Sequence, residues 1–107
     1  MAKADPTIIA EFKAALEEAY GGRVERAILY GSRARGDARR DSDYDIAVFL
    51  KDMADLYDEF RALAAIQVKL LDKTGAHVHA MPYPAGSLDH PSSPLMHEIR
   101  KEGLDVL

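Results

Sequence analysis

Residues 24–50 read VERAILYGSRARGDARRDSDYDIAVFL, and this stretch sets the architecture of the chain. Two runs of β-compatible residues, Val24–Tyr30 and Asp43–Leu50, flank a segment rich in glycine, arginine and aspartate. Apolar and β-branched runs bounded by turn residues are typical of strands. The stretch therefore predicts two strands joined by a polar loop, with Gly31 and Ser32 where the first strand ends.

The segments before and after these two strands have the apolar spacing of helices. Apolar residues at helical spacing predict one helix that begins at Pro6 and ends at Gly21, with proline at the first helical position and glycine as the stop. The same spacing predicts a second helix from about residue 54 to 73, with Gly75 as its stop, and a last helix over residues 94–102.

A third short strand is predicted for Ala76–Met81, which Pro82 and Pro84 are expected to cut off before a proline-, serine- and glycine-rich loop over residues 84–94. The order is then helix, strand, strand, helix, strand, helix. This order predicts an α+β fold in which a small mixed β-sheet of three or four strands has its helices packed on one face. We expect a single domain over residues 1–107.

Composition excludes several classes of function. The chain has 107 residues, a formal net charge of −4 and no cysteine, so disulfides and thiolate metal sites are excluded. The negative charge argues against a broad electrostatic grip on nucleic acid, and we expect no nucleic-acid partner. The N-terminus lacks an apolar signal core, and no stretch approaches the ~20 apolar residues of a membrane span. A cytoplasmic protein without a membrane partner is expected.

Asp43 and Asp45 are the candidate metal ligands. Side chains two residues apart on a strand point to the same face, so the two carboxylates can share one hard cation. Mg²⁺ suits oxygen ligands supplied by one or two carboxylates together with substrate phosphates. The alternative is a polar turn that enters a strand, with Asp43 as a cap and Asp45 exposed.

Gly31 and Ser32 are candidate phosphate-binding residues, because a turn at glycine lets the backbone approach an anion closely and supplies N–H and hydroxyl donors. Arg33 and Arg35 follow directly, and a guanidinium can form bidentate hydrogen bonds with a triphosphate. Because Arg33 and Arg35 occupy alternating positions of a short helical turn, they are not both expected to reach one ligand. The alternative is that Ser32 is an ordinary turn residue.

One motif of the chain resembles the hallmark of the nucleotidyltransferase superfamily that includes DNA polymerase beta. It consists of Gly31-Ser32, a ten-residue spacer and Asp43-x-Asp45. The longer stretch GSRARGDARRDSDYDIAVFL resembles its smallest branch, the minimal nucleotidyltransferases, which commonly act as antitoxins beside HEPN-domain toxins. The resemblance implies the nucleotidyltransferase fold, a nucleoside triphosphate substrate such as ATP, Mg²⁺ as cofactor, and a HEPN-type toxin as partner.

The third strand departs from the family pattern. Active members of the superfamily usually carry a third carboxylate there, whereas this strand reads Ala76-His77-Val78-His79-Ala80-Met81. By position, His79 takes the place of that acid, and histidine can serve as a general base near neutral pH or ligate a transition metal. The alternative is that His77 and His79 are two half-buried strand histidines.

Two functions remain open from the sequence. The first is an enzyme that moves a nucleoside monophosphate, such as AMP, from a nucleoside triphosphate to a hydroxyl of a HEPN-type toxin, with Asp43, Asp45 and His79 as catalytic residues. The second is a catalytically degenerate antitoxin that only binds nucleotide or protein, which the missing carboxylate favours. The intact Gly-Ser and Asp pair favour the enzyme.

Overall fold

A computed structural model describes residues 4–90 and 92–107 of the protein. The elements follow in the order α1 (Pro6–Tyr20), β1 (Val24–Tyr30), α2 (Ser32–Arg35), β2 (Tyr44–Leu50), α3 (Leu56–Thr74), β3 (Val78–Pro84), α4 (Pro94–Glu102) and β4 (Leu104–Asp105). Short 3-10 turns lie at Gly21–Arg23 and Ser87–Asp89. Within the described ranges no helix is both long and apolar enough to cross a membrane.

The four strands form one mixed sheet in the spatial order β3-β2-β1-β4. β1 and β2 are antiparallel, β2 and β3 are parallel, and β4 pairs antiparallel with β1. The α+β class with a small mixed sheet is therefore as predicted. β4 has two residues, and it pairs with Ile28 and Leu29 as the chain leaves α4 through Gly103.

The long helices α1 and α3 cover one face of the sheet. Their ends follow the sequence signals: the Asp5 side chain accepts from the Thr7 N–H at 2.9 Å, and Gly75 ends α3 in the left-handed conformation. The main core lies between these helices and the sheet, and its fully buried members include Phe12, Leu16, Leu29, Ile46, Val48, Leu50 and Leu63.

The opposite face of the sheet carries a smaller helical layer. Met96 and Ile99 of α4 pack with Ile28, Ala47 and Phe49 in a second buried cluster. The prediction of helices on one face did not include this layer. Alternation along β2 explains it, because Ile46 and Val48 face the main core while Ala47 and Phe49 present apolar surface to the other side.

β3 extends through the two prolines that were expected to end it. His77 O accepts from the Tyr44 N–H at 2.9 Å, and the Ala85 N–H donates to Leu50 O at 2.9 Å, so odd-numbered residues bond to β2. Even-numbered residues direct their backbone groups away from the sheet, and Pro82 and Pro84 occupy two of these positions. The prediction that β3 ends at Met81 is wrong because an outward-facing edge position needs no N–H.

Candidate active site

The Gly31-Ser32 turn lies where β1 ends and the single turn α2 begins. Gly31 has φ 75° and ψ −155°, a conformation that strongly favours glycine. The Gly31 carbonyl accepts from the Ala34 and Arg35 N–H groups at 3.1 and 3.0 Å, and Gly36 closes α2 with φ 83°. β1 therefore ends in a tight turn in which Gly31 and Ser32 are partly exposed, so an anion could approach them.

Asp43 and Asp45 stand at the start of β2, beside this turn. Asp45 is paired in register with Tyr30, the residue before Gly31, and Asp43 directly precedes the strand. Successive side chains of a strand alternate between its two faces, so Asp43 and Asp45 lie on the same face as Ala47 and Phe49. Asp43 is exposed and the Asp45 side chain is about one-third exposed, so the carboxylates lie at an open end of the α4 face.

Gly31 makes room for the Asp45 carboxylate. A β-carbon on Gly31 would lie 2.8 Å from Asp45 Oδ2, closer than such atoms approach in proteins. The bare α-carbon therefore lets the carboxylate lie directly against the turn. A phosphate on the turn and a cation on the carboxylate would be neighbours in this arrangement.

Three strands contribute one row of polar side chains. Tyr30 of β1 is in register with Asp45 of β2, and Asp45 is in register with His79 of β3. His79 Nδ1 lies 3.7 Å from Asp45 Oδ1, which is too long for a hydrogen bond but within ion-pair distance. His79 is more than half exposed, so its ring lies at the mouth of the site.

Burial raises the pKa of the Asp45 carboxyl above its ordinary value. Positive charge on His79 lowers this pKa, and the carboxylate of Asp43 raises it. The two acids therefore repel each other, and a cation between them would relieve that repulsion. This is the electrostatic condition that favours a metal at a pair of carboxylates.

Two carboxylates fit a hard cation, although they do not complete its coordination. Among residues 4–90 and 92–107, no three His, Asp or Glu side chains converge on a point that could hold a metal ion. A cation on Asp43 and Asp45 would take its remaining ligands from phosphate oxygens and water, which is how Mg²⁺ is commonly held at nucleotide sites. The two solvent-accessible carboxylates supply the oxygen ligands that such a cation prefers, and they fit this group.

The structure places Arg33 differently from the prediction that it faces a triphosphate. Arg33 is 7% exposed, and its side chain turns under the loop that leads to Asp43. The guanidinium donates to the carbonyl oxygens of Arg40 and Ser42, each at 3.0 Å, and lies over the ring of Tyr44. The Arg33 guanidinium is therefore already engaged by the loop carbonyls and the Tyr44 ring, in place of a triphosphate.

Arg35 lies on the exposed side of α2. Its Nε donates to Asp37 at 3.1 Å, and its Nη1 contacts the Glu102 carboxylate at 3.3 Å, which links α2 to the end of α4. These carboxylates raise the pKa of the Arg35 guanidinium. The Asp37 contact could be exchanged for a phosphate oxygen, because the Arg35 and Asp37 side chains are both accessible to solvent.

Tyr30 is a member of the site that motif reasoning did not select. Its phenol pKa is raised to about 12, first by burial and then by Tyr83, Asp45 and Glu98. Its position directly before Gly31, at the end of β1, is the sequence signal that could have identified it. In the sheet, Tyr30 pairs with Asp45. Tyr30 therefore forms the wall opposite His79.

The sequence matches a known family of proteins. Residues 9–101 match the family model described as the nucleotidyltransferase domain, which spans most of the chain. The protein belongs to the nucleotidyltransferase family. The resemblance inferred from Gly31-Ser32 and Asp43-x-Asp45 is thereby confirmed.

Relatives and solved structures agree with this assignment. A Methanocaldococcus jannaschii protein named as a candidate protein adenylyltransferase is 38% identical over 73 residues, which cover 68% of this chain and 67% of the relative. A chain in the crystal structure of a toxin–antitoxin with AMP-PNP superimposes with TM-score 0.67 at 23% identity, covering 92% of this nucleotidyltransferase and 72% of that chain.

A further structure contains a tri-AMPylated Shewanella oneidensis HEPN toxin in complex with a minimal nucleotidyltransferase antitoxin. It gives TM-score 0.61 at 20% identity and covers 94% of this chain and 70% of that chain. The nucleotidyltransferase therefore has the fold found in these toxin–antitoxin complexes.

Proposed function

We propose that this nucleotidyltransferase transfers AMP from ATP to a hydroxyl group of a HEPN-type toxin and thereby acts as an antitoxin. The observation that carries the proposal is the contact between the Gly31 turn and the Asp45 carboxylate, with Asp43 two residues earlier on the same face. AMP is favoured because the relative above is named for adenylyl transfer and the related complex contains an AMPylated toxin. Use of ATP is consistent with a cytoplasmic protein.

Asp43 and Asp45 would hold Mg²⁺, and Ser32 with the N–H groups of its turn would bind the phosphates. When bound, Mg²⁺ supplies charge neutralisation for the phosphate groups during transfer. Gly31 keeps the phosphate-binding turn against Asp45, so the protein fixes phosphate and carboxylate as immediate neighbours. Positioning of this kind is the main protein contribution in phosphoryl-type transfer.

The transfer itself exchanges one phosphorus–oxygen bond for another. The acceptor hydroxyl oxygen attacks the α-phosphorus, the bond between the α-phosphorus and the bridging oxygen breaks, and pyrophosphate leaves with that oxygen. We propose His79 as the general base: its Nδ1 turns toward Asp45, and Nε2 is left to take the hydroxyl proton. The exposure of His79 suits an acceptor that arrives on another protein.

Nucleotide binding is the first test. In calorimetric titration with ATP and Mg²⁺, Asp43→Asn and Asp45→Asn should each weaken binding about tenfold or more, which is about 1.4 kcal/mol. Asp41→Asn is the matched control, because Asp41 is an exposed acid of the same loop. Unchanged binding in the double variant Asp43→Asn/Asp45→Asn would contradict the carboxylate site.

Transfer is the second test. Incubation with ATP, Mg²⁺ and a co-expressed HEPN-type partner should raise the partner's intact mass by one or more AMP groups. Loss of a general base typically costs about 10²–10⁴ in rate, so His79→Ala should be nearly inactive. His97→Ala, a change at an exposed histidine of α4, should retain the parent rate. An active enzyme that tolerates His79→Ala would remove His79 from the mechanism.

A binding-only antitoxin is the second candidate. The specific observation that favours it is His79, which stands beside Asp45 where an active family member is expected to carry a third carboxylate. The parent protein would then neutralise its partner without any mass increase. In that case His79→Asp should introduce Mg²⁺-dependent transfer, whereas in the enzyme it should preserve or raise an activity that already exists.

A further inference from the structure

Arg33 is an almost fully buried cation that the transfer chemistry above does not use. Its Nη2 donates to Arg40 O and to Ser42 O, each at 3.0 Å, and its Nε reaches Ser42 O at 3.3 Å. The loop is also bonded within itself, since the Arg39 N–H donates to Ser42 Oγ at 2.8 Å. A single guanidinium therefore supports the final part of the loop that delivers Asp43.

The other side of the guanidinium rests on the core. Arg33 Cζ lies 4.5 Å from the centroid of the Tyr44 ring, and Tyr44 is 2% exposed. The Tyr44 hydroxyl in turn accepts from the Asp5 N–H at 2.9 Å, at the start of α1. Arg33 is thus clamped between a rigid aromatic ring and two loop carbonyls, which limits its movement.

These contacts act on the two residues that matter for the proposed site. The Ser42 carbonyl belongs to the planar peptide unit that joins Ser42 to Asp43, so fixing that oxygen fixes the direction in which Asp43 leaves the loop. Arg33 also directly follows Ser32 in α2. One side chain therefore connects the backbone of the phosphate-binding turn with the backbone of Asp43.

We propose that Arg33 is a positioning residue that fixes the Asp43 carboxylate relative to the Gly31-Ser32 turn. The inference rests on the proposed function, because it assumes a cation at Asp43 and Asp45. A planar guanidinium can face an aromatic ring and reach two carbonyls at once, whereas a lysine ammonium is a point charge without that geometry. Lysine at position 33 keeps the charge and loses the fixed geometry.

A double-mutant cycle on cation binding tests this role. Mn²⁺ serves as the probe, and electron paramagnetic resonance measures its affinity in the parent, Arg33→Lys, Asp43→Asn and the double variant, all in the presence of ATP. Arg33→Lys should weaken Mn²⁺ binding about tenfold in the parent, a coupling typical of residues in one network. In the Asp43→Asn background the same change should have almost no further effect.

Two controls separate positioning from general damage. Arg39→Lys alters an exposed arginine of the loop that leads to Asp43 and should leave Mn²⁺ affinity unchanged. Thermal unfolding reports any loss of stability, which should be equal in both Asp43 backgrounds while the loss of affinity is not. If Arg33→Lys does not fold, Arg33→Gln, which leaves no buried charge, replaces it in the same cycle.

The outcomes distinguish the inference from the proposed function. An equal loss of Mn²⁺ affinity in both backgrounds, or none in either, would overturn the positioning role while leaving the cation site intact. If Asp43→Asn itself leaves Mn²⁺ affinity unchanged, the cation site fails, and the positioning role fails with it.

Discussion

Gly31 and Asp45 are in such close contact that a β-carbon on Gly31 would lie 2.8 Å from the Asp45 carboxylate oxygen Oδ2. The two halves of the Gly-Ser and Asp-x-Asp motif therefore touch, although fourteen positions separate them along the chain. The glycine is required twice, once for its positive φ and once for the space that its missing side chain leaves. This contact brings the proposed phosphate-binding and cation-binding residues into one site.

The first prediction concerns Gly31→Ala. The new methyl group must displace the Asp45 carboxylate, and we expect ATP-dependent Mn²⁺ affinity to fall about tenfold or more, about 1.4 kcal/mol. Gly75→Ala is the matched control, because Gly75 has φ 77° but a β-carbon added to it would meet no atom within 4 Å. Both variants should lose roughly 1–2 kcal/mol of stability through strain, but Gly75→Ala should bind Mn²⁺ normally. Equal affinities in the two variants would refute the contact as the cause.

The second prediction concerns alkaline stability. Burial, reinforced by Glu59, raises the pKa of Tyr20 to about 12 from 10, so the unfolded state ionises first. The contribution of Tyr20 to stability is complete below pH 10 and is lost as the pH rises from 10 to 12. One pKa unit corresponds to about 1.4 kcal/mol, so the loss should approach about 2–3 kcal/mol.

Tyr20→Phe should remove this part of the alkaline decline, measured as unfolding free energy against pH. The Tyr20 hydroxyl is buried and has no hydrogen-bond partner among the described residues, so its removal should cost nothing at neutral pH. Tyr57→Phe is the control, because Tyr57 is 66% exposed. A Tyr20→Phe protein with the parent's full alkaline decline would contradict the assignment.

The third prediction concerns the ion pair between Arg23 and Glu59. Glu59 is 6% exposed, whereas the Arg23 side chain is 40% exposed, so the arginine is the solvent-facing partner of a buried acid. Arg23→Ala leaves that acid without its cation and should cost about 1–3 kcal/mol of unfolding free energy, reduced from the fully buried case by solvent screening.

Chemical denaturation checks this cost against two comparison variants. Lys69→Ala breaks an ion pair with Glu18 that is exposed at both ends, and it should cost at most about 0.5 kcal/mol. Arg23→Met combined with Glu59→Leu should recover much of the stability, since both charges are removed together. A negligible cost for Arg23→Ala would show that water reaches Glu59.

The fourth prediction concerns the free edge of β3. Gln67 of α3 accepts the Ala80 N–H through Oε1 at 2.8 Å, and this N–H points away from the sheet. Gln67→Ala should lose about 1 kcal/mol, and hydrogen exchange at the Ala80 amide should accelerate. Val68→Ala, at an exposed neighbouring position of α3, should change neither quantity. Slow exchange at Ala80 in Gln67→Ala would show that another group protects it.

Local signals account for most elements that sequence reasoning located. Asp5 and Gly21 bound α1 as predicted, and α4 occupies the predicted residues 94–102. Helix caps, helix-ending glycines and the helical spacing of apolar residues each depend on residues close together in sequence. They can therefore be recognised without knowledge of the fold. The same holds for the motif, because the spacing from Ser32 to Asp43 is a property of the chain alone.

Errors arose where a residue's partner was distant in sequence. Proline usually ends a strand, yet Pro82 and Pro84 are accommodated in β3 because β3 is an edge strand of the sheet that the described residues form. β4 was not located as an element because two residues carry no periodic signal, and it forms only by pairing with β1. The layer formed by α4 likewise depends on which face of β2 remains uncovered.

The sequence by itself determined the strand–turn–strand unit, the helices that surround it, and the residues Gly31, Ser32, Asp43 and Asp45. The ligand types that these four residues can offer follow from their side chains and their spacing, and both can be read from the sequence. Tertiary structure alone decided that Arg33 supports the Asp43 loop, that Tyr30 and His79 flank Asp45, and that Gly31 touches its carboxylate. The reason is that register and burial arise from contacts between distant segments, and the energies of those contacts are set only when the sheet assembles.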